Sequence, residues 1–301
     1  MRIRTGRLLR LMSHPATRGI LMMIAAVGSF ALMDAAMKEL GQQHGPMQVA
    51  FLRGVASLPI VLLVLGISRR LKDIRPVRWP LHIVRGLLSV ALLWSFVFSV
   101  KVLSLADAYS IYLSAPLLIT ALSVPLLGEQ VSGRRWLAIG VGLVGVIVML
   151  RPTAASVVTL GGLAAFMAAV FYALSAISIN ILAKTDTTAS MVFWTMAVVA
   201  VAAGLASLPS WTPVQAADAG WILVLGVSGA AGQLFITQAF RLAPASVVAP
   251  FEYTALLWGI ALDWALWNVL PGSRLLAGGS LVVASGLYLM WHSRQSTPAV
   301  H

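Results

Sequence analysis

Six ionisable side chains stand inside otherwise apolar stretches of this 301-residue chain: Asp34, Arg53, Arg85, Asp107, Glu252 and Asp263. A charge near the centre of a bilayer costs about 2.5–3.5 kcal/mol, so each such group needs a task or a partner. Arg53 can receive a carboxylate or phosphate through paired N–H donors. It can equally tie to Asp34 and join two neighbouring helices. Asp34 or Glu252 can hold a cationic group or a coupling proton, and for Glu252 a neutral, hydrogen-bonded structural role is the alternative. Arg85 lies a few residues inside a basic loop, from which it can snorkel to headgroups. Asp107 and Asp263 stand near the outer ends of their runs, where solvation or capping accounts for them.

Uncharged residues add to this set. Trp94, Tyr109, Tyr112, Tyr172, Tyr253 and Trp258 lie within apolar runs and are candidates to hold the body of a flat or amphipathic solute. Tyr109 and Tyr112 are three apart and share a helix face. Gln233 is a mid-run amide whose hydrogen-bonding sites need partners, and a cavity would supply them. Asn180 and Gln238 are weaker candidates near a run end. Trp136, Trp211, Trp221, Trp267 and Trp291 sit near run ends as interfacial belt residues. Pro116 and Pro250 interrupt their runs, which frees the carbonyls of Tyr112 and Ser246 and marks two bends on which halves of the molecule would gate. The glycines at 140, 142 and 145, and at 226, 229 and 232, suit close helix packing.

Several chemistries are disfavoured. There are no cysteines, and the five histidines (His14, His44, His82, His292 and His301) fall at termini, loops or run ends. Neither a metal site nor a histidine-based catalytic cluster is expected within the runs. No phosphate-cradling glycine loop stands in a strand–helix context, so no nucleotide cofactor is expected.

The elements that must position these residues are membrane helices. The chain is 59% hydrophobic and 10% charged, whereas a soluble domain carries about 25% charged residues. Its apolar runs extend for about twenty residues without strand-like alternation, so helices are expected rather than a barrel. Ten spans can be drawn, at about 19–38, 47–67, 81–100, 103–127, 133–150, 160–183, 188–208, 220–240, 245–267 and 275–292. Arg151-Pro152 and a small polar linker, 151–159, divide them five and five. A basic segment, 1–18, precedes the first and a short tail, 293–301, follows the last. The net charge of +12 does not imply nucleic acid. Fifteen of the 21 basic residues fall in loops on one side and four on the other, which places both termini in the cytoplasm.

The two sets of five spans resemble each other. Leu105-Ala106 aligns with Leu242-Ala243, Ala138 and Gly145 with Gly279 and Gly286, and Phe30-Ala31-Leu32 with Tyr172-Ala173-Leu174. An odd number of spans per repeat inverts the second repeat in the bilayer, the plan of secondary carriers with a midplane site. The expected fold is therefore all-α: ten transmembrane helices as two inverted repeats, 19–150 and 160–292.

The stretch ADAYSIYLSAPLLITALSVPLLGEQVSGRRWLAIGVGLVGVIVM resembles the signature hairpin of the drug/metabolite transporter superfamily, EamA type. The likeness lies in the proline of the fourth span, the Gly128-Glu129 that ends it and the small-residue fifth span. The second copy, with Pro250, Pro271 and Gly279 through Gly286, has Asn268-Val269 where the family pattern has Gly-Glu. FALMDAAMKEL followed by QVAFLRG is similar to a branch that includes bacterial riboflavin and S-adenosylmethionine carriers, and related branches export amino acids. The resemblance implies ten helices, alternating access and a cavity formed by spans 1, 3, 4, 6, 8 and 9.

The expected protein is an inner-membrane secondary carrier for a small organic metabolite such as an amino acid, vitamin or nucleoside-like solute. Membrane lipid and a coupling proton are its other expected partners, and a homodimer is compatible with the reading. The alternative is an intramembrane enzyme acting on a lipid, which would need a convergent His/Asp/Ser or metal cluster. A purely structural membrane protein would leave the intramembrane charges unexplained.

Overall fold

A computed structural model describes residues 15–103, 105–128, 131–150 and 160–268, with seven individual residues between 273 and 288. Regular structure among the described residues is helical throughout. In chain order the helices are α1 (Pro15–Gln43), α2 (Pro46–Ile67), α3 (Trp79–Val102), α4 (Leu105–Tyr112), α5 (Ala115–Leu127) and α6 (Gly133–Leu150). The second half gives α7 (Leu160–Leu182), α8 (Thr188–Ser207), α9 (Ala219–Leu242), α10 (Ala245–Val248) and α11 (Ala255–Trp267). α1, α2, α3, α7, α8 and α9 are long and apolar enough to cross a membrane. The separation expected between the third and fourth spans is present, because α3 ends at Val102 and α4 starts at Leu105.

Local chemistry sets the ends of these helices. Pro46 and Pro80 stand in the first turns of α2 and α3, where a missing N–H costs nothing. Thr187 caps α8, accepting from the Ser190 N–H at 3.0 Å. α5 ends at Gly128, left-handed at φ 69°, and α11 ends at Asn268, left-handed at φ 54°. The departure from Gly-Glu in the second repeat thus keeps the backbone geometry, since asparagine is the residue after glycine that best tolerates this conformation.

The runs expected as the fourth and ninth spans are broken rather than kinked, which corrects the expectation of prolines within continuous helices. Pro116 lies in the first turn of α5, after a break at Leu113–Ser114. Pro250 lies in the first turn of a 3-10 segment, Ala249–Thr254, that joins α10 to α11. In both places proline starts a segment and does not interrupt one.

The packing has an exchange symmetry between the halves. α1 packs on α9 as α3 packs on α7, α2 on α9 as α8 on α3, and α2 and α8 on each other. Small residues permit the closest of these approaches. A Cβ on Gly54 would stand 2.8 Å from the Ala200 nitrogen, and one on Gly226 would stand 2.8 Å from the Ala56 carbonyl oxygen. Gly142 likewise abuts Ser285, whereas no described residue lies within 4 Å of a Cβ on Gly140.

Two buried His–Asp pairs follow the same symmetry. At the start of α3, His82 Nε2–H donates to Asp186 in the α7–α8 loop at 2.9 Å. In the α1–α2 loop, His44 pairs through Nε2 with Asp218, at the start of α9, at 3.1 Å. Thr212 completes the second pair, 2.6 Å from His44 Nδ1. Each pair joins the first half to the second. Burial alone would raise Asp186, but hydrogen bonds from His82, the Val77 N–H and Thr185 hold its carboxyl below the ordinary range. The Gln215 N–H lowers Asp218, burial opposes it, and His44 adds to the lowering.

Candidate functional site

A central cavity lies between the halves, and its atom-free space together with its opening to solvent amounts to about 960 Å³. Its polar and aromatic wall is drawn from seven segments: Phe30 and Asp34 on α1, Arg53 on α2, Arg85, Ser89 and Phe96 on α3, and Tyr109 and Tyr112 on α4. Tyr172 and Ser175 on α7, Gln233 on α9 and Glu252 on the 3-10 segment complete it. The break between α4 and α5 and the 3-10 segment both border this space. Irregular backbone at membrane depth is tolerated where it lines a cavity.

The charged groups inside are held by neutral partners. Tyr109 Oη donates to Asp34 Oδ2 at 2.7 Å. Arg53 Nη2 reaches Gln233 Oε1 at 3.5 Å, and Arg85 Nη1 donates to the Met191 carbonyl at 2.9 Å. The Tyr172 hydroxyl neighbours Glu252. No Arg53–Asp34 ion pair within 4.0 Å forms among the described residues, so the tie between α1 and α2 allowed by the sequence is not the arrangement found. Among the described residues, Arg53 Nε, Arg85 Nε and Glu252 Oε1 are buried without hydrogen-bond partners. An aromatic wall adjoins them: Tyr112 lies 5.5 Å from both Tyr172 and Phe96, and Phe96 stacks on Tyr109 at 6.0 Å.

Of the ten candidate binding residues, Asp34, Arg53, Tyr109, Tyr112, Tyr172, Gln233 and Glu252 line this cavity. Three do not. Trp94 is 44% exposed and stacks on Phe98, on the outer side of α3. Trp258 is 42% exposed, with its ring against Gly28. Tyr253 is buried between Leu113 and Leu256, outside the cavity wall. A tryptophan in an apolar run packs equally well against lipid, and nothing local distinguishes the two settings. Asp263 departs from its solvated reading as well, because it is buried and lies 3.5 Å from Lys38 Nζ. Lys38 also covers the Trp267 ring at 4.1 Å, and Trp267 Nε1 donates to Glu39, so Trp267 is not a free belt residue. The side chains of Asp107, Pro116 and Pro250 lie outside the described residues.

Sequence reasoning did not assign Arg85, Ser89, Phe30 or Phe96 to the wall. The α3 members share one helix face, since residues 85, 89, 92, 93 and 96 recur at helical spacing and all five line the cavity. With Leu92, Leu93 and Phe96 among them, that face reads in the sequence much like a lipid-facing one. Arg85 does not snorkel; it is 1% exposed.

The EamA-like transporter family model matches residues 17–151 and again 159–291, one match for each half. The chain belongs to the EamA-like transporter family. Curated relatives align with it over nearly their whole length. A pseudopaline exporter of Pseudomonas aeruginosa (strain UCBPP-PA14) is 25% identical over 279 residues, covering 90% of this chain and 95% of that one. An S-adenosylmethionine uptake transporter of Rickettsia prowazekii is 25% identical over 283 residues, 94% of this chain and 96% of that one. A riboflavin transporter of Vibrio cholerae is 25% identical over 292 residues, with the same coverages. A solved crystal structure superposes with a TM-score of 0.70 at 20% identity, covering 92% of this chain and 98% of that one, so the fold is shared. This EamA-family chain is a multi-pass membrane transporter of small molecules and not an enzyme.

Proposed function

We propose that this EamA-family protein is an inner-membrane secondary carrier that moves a small organic metabolite by alternating access. The observation that carries the reading is the convergence of two arginines and two carboxylates on one cavity, at the breaks of the fourth and ninth spans. Such burial is costly unless a ligand or ion uses the charges. Arg53 takes the anionic end of the solute. Asp34 or Glu252 takes a cationic end or a coupling proton, and Tyr109, Tyr112 and Tyr172 hold the body. An amino acid, a vitamin or a nucleoside-like solute fits this mixture of charge and aromatic surface.

The exchange symmetry of the packing supports two repeats related by an axis in the membrane plane, with five spans each and both termini cytoplasmic. The halves would rock about the cavity, with the α4–α5 break and the α10–α11 segment as the hinges next to the solute. Pro116 and Pro250 fix where those breaks fall. The test is counterflow in proteoliposomes with amino acids, riboflavin, S-adenosylmethionine and nucleosides, repeated with a proton gradient imposed and collapsed. A carrier accelerates exchange when unlabelled solute is placed on the far side. Absence of such acceleration for every solute in the panel, from protein that still binds one of them, would remove the carrier reading.

A further inference from the structure

We infer that Arg85 is a second anion-binding station in the cavity, and that the transported solute carries two acidic groups. The inference rests on the carrier reading above and narrows its substrate class.

Among the described residues, the buried carboxylates outside the cavity, Asp186, Asp218 and Asp263, are each paired with a basic side chain. Lys38 meets Asp263, His82 meets Asp186, and His44 meets Asp218. Inside, neither guanidinium lies within 4.0 Å of a carboxylate among the described residues. Arg85 is the extreme case: it is 1% exposed, and among the described residues it donates one hydrogen bond, to the Met191 carbonyl, and its Nε has no partner. A guanidinium has five N–H donors, and one carbonyl leaves most of that capacity unused. Low-dielectric surroundings make the remaining donors strong binders of an incoming oxyanion. Ser89, one helical turn along the same wall, donates its hydroxyl to the Arg85 carbonyl.

Arg85 and Arg53 are not two donors to one group. α2 and α3 are consecutive helices joined by the segment 68–78. At roughly 1.5 Å per residue, Arg53 lies about 21 Å from the Ile67 end of α2 and Arg85 about 9 Å from the Trp79 end of α3. These ends share one side of the molecule, so the two Cα atoms differ in depth by about 12 Å. The arginine side chains can close part of that gap, which leaves the span of a solute with acids at both ends.

The experiment measures binding without transport, in nanodiscs, by the thermal shift given by adipate, by its monoamide adipamate and by 1,6-diaminohexane. Adipate should stabilise the wild-type protein by at least 3 °C more than adipamate, and the diamine should give the smallest shift. Arg85→Gln should abolish the adipate preference while keeping the adipamate shift. Should Arg85→Gln fail to fold, Arg85→Lys, which keeps the charge but loses the fork, should at least halve the preference. Equal shifts for adipate and adipamate, no shift with either up to 50 mM, or a variant that retains the full preference would each overturn the assignment. None of these outcomes depends on counterflow, so the carrier reading can stand if this one falls.

Discussion

Removing one oxygen atom should weaken solute binding at Asp34, an acid of the cavity wall. Tyr109→Phe deletes the hydroxyl that donates to Asp34 Oδ2 at 2.7 Å, within a site where Asp34 is 8% exposed. Hydrogen bonds to charged groups contribute about 1.5–3 kcal/mol. At about 1.4 kcal/mol per decade, solute affinity should weaken by about 10- to 100-fold if Asp34 is positioned by that bond. The packing gives an independent way to move the same hydroxyl. Tyr109 stacks on Phe96, and a Cβ on Gly259 would meet its ring at 2.7 and 2.9 Å, whereas ordinary contact begins at 3.4 Å. Gly259→Ala should therefore push the ring off its site and reproduce part of the Tyr109→Phe defect with the hydroxyl still present. The assay is concentration-dependent counterflow of the solute that the panel identifies, with Asp34→Asn and the double variant completing a cycle. A Tyr109→Phe protein within twofold of wild-type KM would refute the reasoning. So would effects of Asp34→Asn and Tyr109→Phe that simply add.

Two further outcomes test the frame around the site. Asn268→Gly should melt like wild type, whereas Asn268→Ala should lose about 1 kcal/mol, because only the alanine resists φ 54°; equal melting of the two would remove the role given to this cap. Asp186 and Asp218 bind protons less readily in the folded protein than in the unfolded chain, since their carboxyls are held below the ordinary value of 3.8. Their contribution is present in full above that value and is lost as pH falls through the folded value, so melts of the wild type should show acid destabilisation below about pH 4. Asp186→Asn should reduce that slope; an unchanged slope would mean the His82–Asp186 pair does not contribute to it.

What the sequence determined by itself was the medium, the elements and the inventory. A chain of this composition cannot cover itself in water, and the desolvation of every peptide group in lipid forces its long apolar runs into helices. α2, α7 and α8 accordingly begin and end within a residue or so of the runs that predict them. The repeat was legible because small residues and chain-breaking residues recur in order. The intramembrane charges were legible because each is expensive wherever it faces. What only the tertiary structure decided was the direction in which each side chain points. In water an amphipathic stripe fixes the rotation of a helix about its axis, but in a bilayer the lipid-facing and protein-facing sides are both apolar and that signal is weak. Trp94 and Tyr112 read alike in the sequence, yet one faces outward and the other lines the cavity. For Asp34 the sequence offered Arg53 as a partner, and the fold gave it the Tyr109 hydroxyl instead. Arg85 needed the same information, because a long side chain near a span end can snorkel outward or turn inward, and the fold turned it inward.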